Sequence, residues 1–204
     1  MAYVKAAERS GQLVAAAREV LARDGVASAT LRAVAAEAGV PLGTLHYVFP
    51  SKELLLKAVI EDVVDEIAEV LNGAANADKG LGYAIRRGIE DFWSQLVEGH
   101  PNLQLMQYEL TAYSLRTAGL ESLARWQYDR YCRIVAAWCQ EAANRAGETC
   151  AIPFESLARV LVASIDGLIL QRVCDPDASR SRRDLDVVIE MLVHIAGARP
   201  AHPA

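Results

Sequence analysis

The sequence predicts an all-α fold: a three-helix helix-turn-helix head at the N-terminus, a long fourth helix, and a helical body beyond it. Three observations predict it. Apolar residues recur three and four positions apart from about residue 10 to residue 196, and no segment alternates convincingly in the manner of a strand. The 13 glycines and 7 prolines fall mostly between these periodic runs, where they end helices rather than interrupt them. Residues 30–57, TLRAVAAEAGVPLGTLHYVFPSKELLLK, spell two short helices about a tight turn and lead directly into a third, longer one.

The elements follow in order. Residues 1–10 are expected to be a loose arm whose Lys5 and Arg9 are too few to mark a minor-groove contact. Over residues 10–23, Leu13, Val14, Ala17, Val20 and Leu21 form one apolar stripe, and Gly25 ends the helix. Thr30 can cap the second helix through its side-chain oxygen, with Leu31, Val34, Ala35 and Ala38 on its inner face. Gly39 stands where the chain must turn left-handed, Val40 reads as the buried pin of the turn, and Pro41 suits the first position of a third helix. That helix, residues 41–48, is barely two turns long and stops at Pro50. Its outer face carries Leu42, Gly43, Thr44, His46 and Tyr47, small and hydrogen-bonding groups that suit a major groove.

Ser51 caps the fourth helix, which runs from Lys52 to about Leu71 on Leu55, Leu56, Val59, Val63, Ile67 and Val70. Residues 73–80 are the best linker in the chain. Beyond it, Ile85, Ile89, Phe92, Trp93 and Leu96 mark a helix closed by Gly99 and Pro101. Leu103, Met106, Leu110 and Tyr113 mark another, up to Gly119. A long helix spans residues 120–146, one more runs from Pro153 to about Val173, and residues 175–177 break it. Arg180 to Arg183 read as a basic loop before a last helix over residues 185–196.

Composition limits what such a chain does. With 52% apolar residues in 204, it has ample core, and no run of about 18 uninterrupted apolar residues suggests a membrane span. The first residues lead into a charged amphipathic segment rather than a signal peptide, so a cytoplasmic protein is expected. The net charge of −5 is unevenly placed: residues 1–60 hold seven basic and five acidic side chains, leaving the remainder at −7. A mildly basic head on an acidic body fits a protein that presents one end to DNA. Cys132, Cys139, Cys150 and Cys174 form no C-x-x-C pair and read as buried apolar thiols, not a metal or redox site. Gly80-Leu81-Gly82 does not extend to a dinucleotide fingerprint, so no cofactor is expected. A helical enzyme is disfavoured: there is no G-x-S-x-G, H-E-x-x-H or phosphate loop, and His46, His100, His194 and His202 are scattered.

The run Thr30-Leu31-x-x-Val34-Ala35-x-x-Ala38-Gly39-Val40, then Gly43-Thr44-Leu45, then Phe49-Pro50-Ser51-Lys52-Glu53-x-Leu55, resembles the DNA-binding domain of TetR-family transcriptional regulators. The match covers roughly residues 10–60. This chain departs from the family pattern at three positions: Pro41 replaces a small polar cap, His46 a tyrosine, and Val48 a histidine. Tyr47 stands one position later, which leaves the division of phosphate contacts between His46 and Tyr47 open. The resemblance implies a helix-turn-helix DNA-binding domain over residues 1–50, a connecting helix over 51–72, and an effector-binding and dimerisation domain over 73–204. It implies a ligand-responsive regulator, more often a repressor, bound as a homodimer to a near-palindromic operator in double-stranded DNA. Thr30, Arg32, Pro41, Leu42, Gly43, Thr44, His46, Tyr47 and Lys52 are the expected DNA-facing residues.

Two constellations mark the body. Every tryptophan lies in residues 93–138, with four of the seven tyrosines nearby. These read either as ordinary core and surface aromatics or as the lining of a cavity for a small organic effector, and the resemblance favours the cavity. Its expected lining is Phe92, Trp93, Leu96, Met106, Tyr108, Tyr113, Trp126, Tyr131 and Trp138, with Arg116, Arg125, Arg130 and Arg133 to complement an anionic effector. The last two helices carry dense aliphatic faces that suit either an internal core or a two-fold four-helix bundle. The resemblance favours the bundle, through Leu157, Leu161, Ser164, Ile165, Leu168, Val188, Met191, Leu192 and Ile195. The alternative function is a helical ligand-binding or scaffold protein with a non-functional helix-turn-helix.

Overall fold

The computed structural model describes residues 2–74 and 79–201; residues 75–78 of the expected linker, and His202, lie outside them. The helices are α1 (Ala2–Asp24), α2 (Leu31–Glu37), α3 (Leu42–Val48), α4 (Lys52–Ala74), α5 (Leu81–Phe92), α6 (Pro101–Arg116), α7 (Glu121–Ala146), α8 (Phe154–Cys174) and α9 (Ala178–Ala196). A π turn, Trp93–Val97, follows α5. The only strands among the described residues, β1 (Glu148–Thr149) and β2 (Arg199–Pro200), pair antiparallel. The all-α expectation holds. The chain divides into two compact units, one of residues up to Asp65 together with Asn102–Gln127, the other of Glu66–Pro101 and Tyr128–Ala204. Helices α4 and α7 contribute residues to both.

In the first unit, α1 begins at Ala2, so the expected loose arm is helical instead. It buries Leu13, Val14, Ala17, Val20 and Leu21. The Ala33 N–H donates to Thr30 Oγ1 at 3.1 Å, a cap whose loss costs about 1 kcal/mol. Gly39, at φ 66°, closes α2: its N–H donates to the Ala36 carbonyl and that of Val40 to the Ala35 carbonyl, satisfying two terminal carbonyls at once. Two expectations need correction here. Val40 is only half-buried, and the turn is pinned by Leu45 and Phe49, which sink into the unit on either side of the exposed face of α3. Pro41 is the residue before α3 rather than its first: at φ −61° and ψ 143° it is extended, and its carbonyl accepts from the Thr44 and Leu45 N–H groups. Ser51 Oγ accepts from the Leu54 N–H and opens α4.

In the second unit, α5 packs on α9, and α9 packs on α8. The seam closes Leu157, Ala158, Leu161, Ile165 and Ile169 together with Leu185, Ile189, Leu192 and Ala196. The aliphatic faces of the last two helices therefore include an internal core. The expected basic loop is instead the first turn of α9, because Asp177 accepts from the Arg180 N–H and starts the helix there. The helix through Trp93 is not a single α-helix: it loosens into the π turn, where the Glu98 N–H reaches the Trp93 carbonyl, and Gly99 at φ 92° ends it.

Candidate nucleic-acid interface and effector body

Helix α3 has seven residues, too few to be stable alone, and one of them holds it down. Leu45 is 0% exposed while Tyr47, two residues on, is 89% exposed. Exposing a tyrosine ring forgoes burial worth about 1.5–3 kcal/mol for a large side chain, so the fold itself gains nothing by this placement. Around it, Pro41, Gly43 and His46 are exposed, and Leu42 and Thr44 are half-buried on the same short element. A Cβ at Gly43 would meet nothing within 4 Å, so the bare backbone there leaves room for an outside surface rather than for a neighbour in the chain.

The flanking residues divide. Thr30 is exposed, its oxygen engaged as the α2 cap. Arg32 is exposed and, among the described residues, carries no ion pair. Arg23, by contrast, pairs with Asp24 and Glu37, and Arg18 with Asp62. Lys52 does not sit as expected: its Nζ donates to the Val26 carbonyl at 2.8 Å and lies 4.7 Å from the centre of the Tyr113 ring. Its ammonium is satisfied inside the unit, which argues against the expected phosphate contact. Sequence spacing carries no sign of this, because Val26 and Tyr113 belong to distant segments.

The expected effector aromatics are not gathered into one unit. Met106, Tyr108, Tyr113 and Trp126 belong to the first; Phe92, Trp93, Leu96, Tyr131 and Trp138 belong to the second. In the first, Tyr113 lies beneath Lys52 and Trp126 beneath Lys57, 5.0 Å from the ring centre, and Met106 is core. In the second, Trp93 is fully enclosed, and Tyr131 is buried with its ring edge-on to Tyr128 at 5.9 Å. Trp138 lines a hollow of about 520 Å³, with Ala68, Leu71, Asn72, Ile134, Ala137, Glu141, Ala142 and Arg145. Its walls are apolar apart from Asn72 and the Arg145–Glu141 ion pair, and the Trp138 indole N–H is buried with no acceptor. A larger hollow of about 760 Å³ lies along α7 and α8, among Tyr128, Cys132, Arg133, Gln140, Glu155 and Arg159. Of the four arginines proposed for charge complementarity, Arg133 reaches that hollow, and Arg130 keeps a buried Nε with no acceptor.

The expected dimer face also divides. Leu157, Leu161, Ile165 and Leu192 are buried inside the single chain, because α8 and α9 pack on each other through them. Ser164 donates to the Val160 carbonyl of its own helix. Of the rest, Met191 is exposed and Leu168, Val188 and Ile195 are half-buried. Reading only the apolar periodicity missed the residues that do face outward: Val160 and Leu170 on α8, and Val187 on α9 at 68% exposure.

A helix-turn-helix head with its aromatic held out to solvent, continuous in one chain with a largely helical body that contains hollows, is the architecture of a one-component DNA-binding regulator. Residues 13–59 match the family model for bacterial regulatory proteins of the tetR family, and residues 86–195 match the tetracyclin repressor-like C-terminal domain. The chain belongs to the TetR family. It is 28% identical over 194 residues to the HTH-type nicotine-responsive transcriptional repressor HdnoR of Paenarthrobacter nicotinovorans, covering 95% of this chain and 98% of that one. Among solved structures, the multidrug binding protein EbrR complexed with imidazole is 26% identical, with a TM-score of 0.62 over 90% of this chain and 94% of its own. A TetR transcription regulator from Haloarcula marismortui shares the fold at 17% identity, with a TM-score of 0.70 over 94% and 97%. This protein is thus a TetR-type, ligand-responsive transcriptional repressor that binds operator DNA, dimerises and takes a small-molecule effector. No described helix is long and apolar enough to cross a membrane.

Proposed function

We propose that α3 is the recognition helix and that Tyr47, with Leu42, Gly43, Thr44 and His46, meets the operator. Thr30, Arg32 and Pro41 flank the contact. The observation that carries this is the pairing of a fully buried Leu45 with an 89% exposed Tyr47 on one seven-residue helix. Anchor and probe are separated by two positions, so the buried Leu45 fixes the backbone from which the ring projects. Residues 1–50 act as the DNA-binding domain, and the body from residue 73 binds effector and partner. Two copies meet through the outward apolar side chains of α8 and α9, placing two recognition helices on successive major grooves. The protein acts in the cytoplasm and catalyses no reaction.

We further assign the effector to a small, largely apolar organic molecule held beside Trp138. The hollow's apolar walls, Trp138 among them, favour an aromatic or aliphatic body. The relatives point to the same chemistry: HdnoR is nicotine-responsive, and EbrR is seen with ethidium and with malachite green. Effector and operator oppose each other through one coupling free energy, felt equally at both sites.

The test is fluorescence anisotropy on the DNA flanking the protein's own gene, across a salt series, with Tyr47→Ala alongside. Saturable, salt-sensitive binding that resists competitor DNA and is lost in Tyr47→Ala is expected. A Tyr47→Ala protein that binds a selected operator as tightly as the wild type would overturn the recognition assignment. If random-sequence selection also returned no site, a scaffold whose helix-turn-helix is vestigial would be the better reading.

A further inference from the structure

The loop between α1 and α2 is held from two sides by residues distant in sequence. The Val26 N–H donates to Glu109 Oε2 of α6 at 3.0 Å. The Val26 carbonyl accepts from Lys52 Nζ of α4 at 2.8 Å. The same Lys52 ammonium sits over the ring of Tyr113, 4.7 Å from its centre. Glu109 and Tyr113 are four positions apart, so they occupy one face of α6. The contacts therefore close a circuit: α6 to the loop, loop to α4, and α4 back to α6.

A second observation shows that the loop is shaped for this carboxylate. Gly25 adopts φ 80°, and a Cβ there would stand 3.1 Å from Glu109 Oε2. A side chain at residue 25 would be strained by that φ and would crowd the oxygen that accepts from Val26. Val26 itself is completely buried, so neither of its backbone groups could find water if the side chains withdrew. The loop leads within a few residues into Thr30 and α2, and α2 leads through the Gly39 turn to α3.

We propose that Glu109 is a positioning residue for operator binding, acting with Lys52 and Tyr113 to let α6 set the placement of the helix-turn-helix. The reading rests on α3 being the recognition helix. Glu109 moves with α6 and carries the donor side of Val26, while Lys52 of α4, seated over the α6 ring of Tyr113, holds the acceptor side. The core of the head does not depend on this circuit, because Leu13, Val20, Val34, Leu45 and Phe49 are buried without it. Loss of the carboxylate therefore loosens where α2 and α3 stand while leaving the head folded. Lys52 thus serves operator affinity from inside the unit, without touching DNA.

The experiment compares the full-length wild type with Glu109→Ala, Glu109→Gln, Tyr113→Leu and Tyr47→Ala, measuring anisotropy on one selected operator and amide exchange at Val26. Glu109→Ala is expected to bind at least tenfold more weakly and to exchange Val26 faster. Glu109→Gln, whose amide oxygen still accepts from the Val26 N–H, should recover to within about threefold of wild type. Tyr113→Leu keeps the helix and its bulk but removes the ring beneath Lys52, and should weaken binding several-fold; it decides the matter if Glu109→Ala does not fold. Wild-type affinity in both Glu109→Ala and Tyr113→Leu, or equal weakness in Glu109→Ala and Glu109→Gln, overturns the proposal. If Tyr47→Ala fails to bind while Glu109→Ala binds normally, only the positioning role falls. If Tyr47→Ala binds normally, the recognition-helix reading falls with it.

Discussion

Gly88→Ala sets a gain and a loss against each other at one atom. Gly88 lies within α5 and is buried. Helix propensity alone favours alanine by about 1 kcal/mol. Yet a Cβ at residue 88 would stand 2.5 Å from Trp138 Cη2, 2.6 Å from Cζ2 and 3.1 Å from Leu71 Cδ2. Trp138 is 7% exposed, so its ring can yield only toward the hollow beside it, giving up its present packing as it goes. Overpacking of this kind costs roughly 1–3 kcal/mol, and two aromatic carbons of one rigid ring place it at the upper end. The clash wins, leaving a net loss of about 2 kcal/mol and lowering Tm by roughly 4–8 °C for a chain of this length. The assay is thermal unfolding of the four proteins of a double-mutant cycle with Trp138→Phe, which removes both offending carbons. In the Phe background, Gly88→Ala should be neutral or stabilising, giving a coupling of roughly 2–3 kcal/mol. An unchanged or raised Tm for Gly88→Ala with Trp138 present, or an equal effect in both backgrounds, would refute the close-contact argument.

Four further outcomes follow from the structure. Gly43→Ala has open space for its methyl group and suits a helix, so Tm should hold or rise slightly; operator affinity should still fall or its sequence preference shift, read by anisotropy on a set of operator variants. Burial pushes the Cys139 thiol up to about 12, against about 9 unfolded. Between those values the unfolded chain has lost a proton that the native one keeps, so stability falls as pH rises above about 9, by at most about 1.4 kcal/mol per pH unit, a slope that Cys139→Ala should flatten in denaturant titrations. The exposed Cys174 should react with a maleimide in the native state and Cys139 only on unfolding, which mass spectrometry of the labelled peptides reads directly. Val187→Glu with Met191→Glu places two charges on the outward face of α9 without touching the α8–α9 seam; light scattering should show monomers, and operator affinity should fall at unchanged secondary structure.

What the sequence makes legible is what local rules control. The Thr30 cap, the left-handed Gly39, the Ser51 cap and the periodicity of α4 and α8 each depend on residues within one or two turns, and each stands where the spacing puts it, while α1 starts well before its apolar stripe. Local rules also explain two misplacements. Asp177 could be read as part of a helix breaker, but the same carboxylate accepts from the Arg180 N–H and begins α9 seven residues before its apolar stripe. The π turn has no compositional mark: WSQLV fits an α-helix, and only the Glu98 N–H reaching the Trp93 carbonyl distinguishes it.

Periodicity identifies an apolar face but not what covers it. Leu157, Leu161, Ile165 and Leu192 satisfy an intermolecular bundle and an internal seam equally well, and α9 folding onto α8 claims them for the seam. Lys52 has the same ambiguity for charge: at the start of α4 it could reach outward to a phosphate or inward to a carbonyl, and Val26, 26 positions away, takes it. Glu109 and Val26 are 83 positions apart, so no spacing rule links them. That separation has a physical consequence. Contacts within α2 and α3 must persist for the head to fold, so they cannot vary between bound and released states without unfolding it. A contact from a distant helix to the α1–α2 loop is free of this requirement: the loop can shift with α6 while the Val26 groups stay paired, and α3 moves while remaining a helix. The residues hardest to read from the sequence are, for this reason, the ones best placed to carry a signal to the operator.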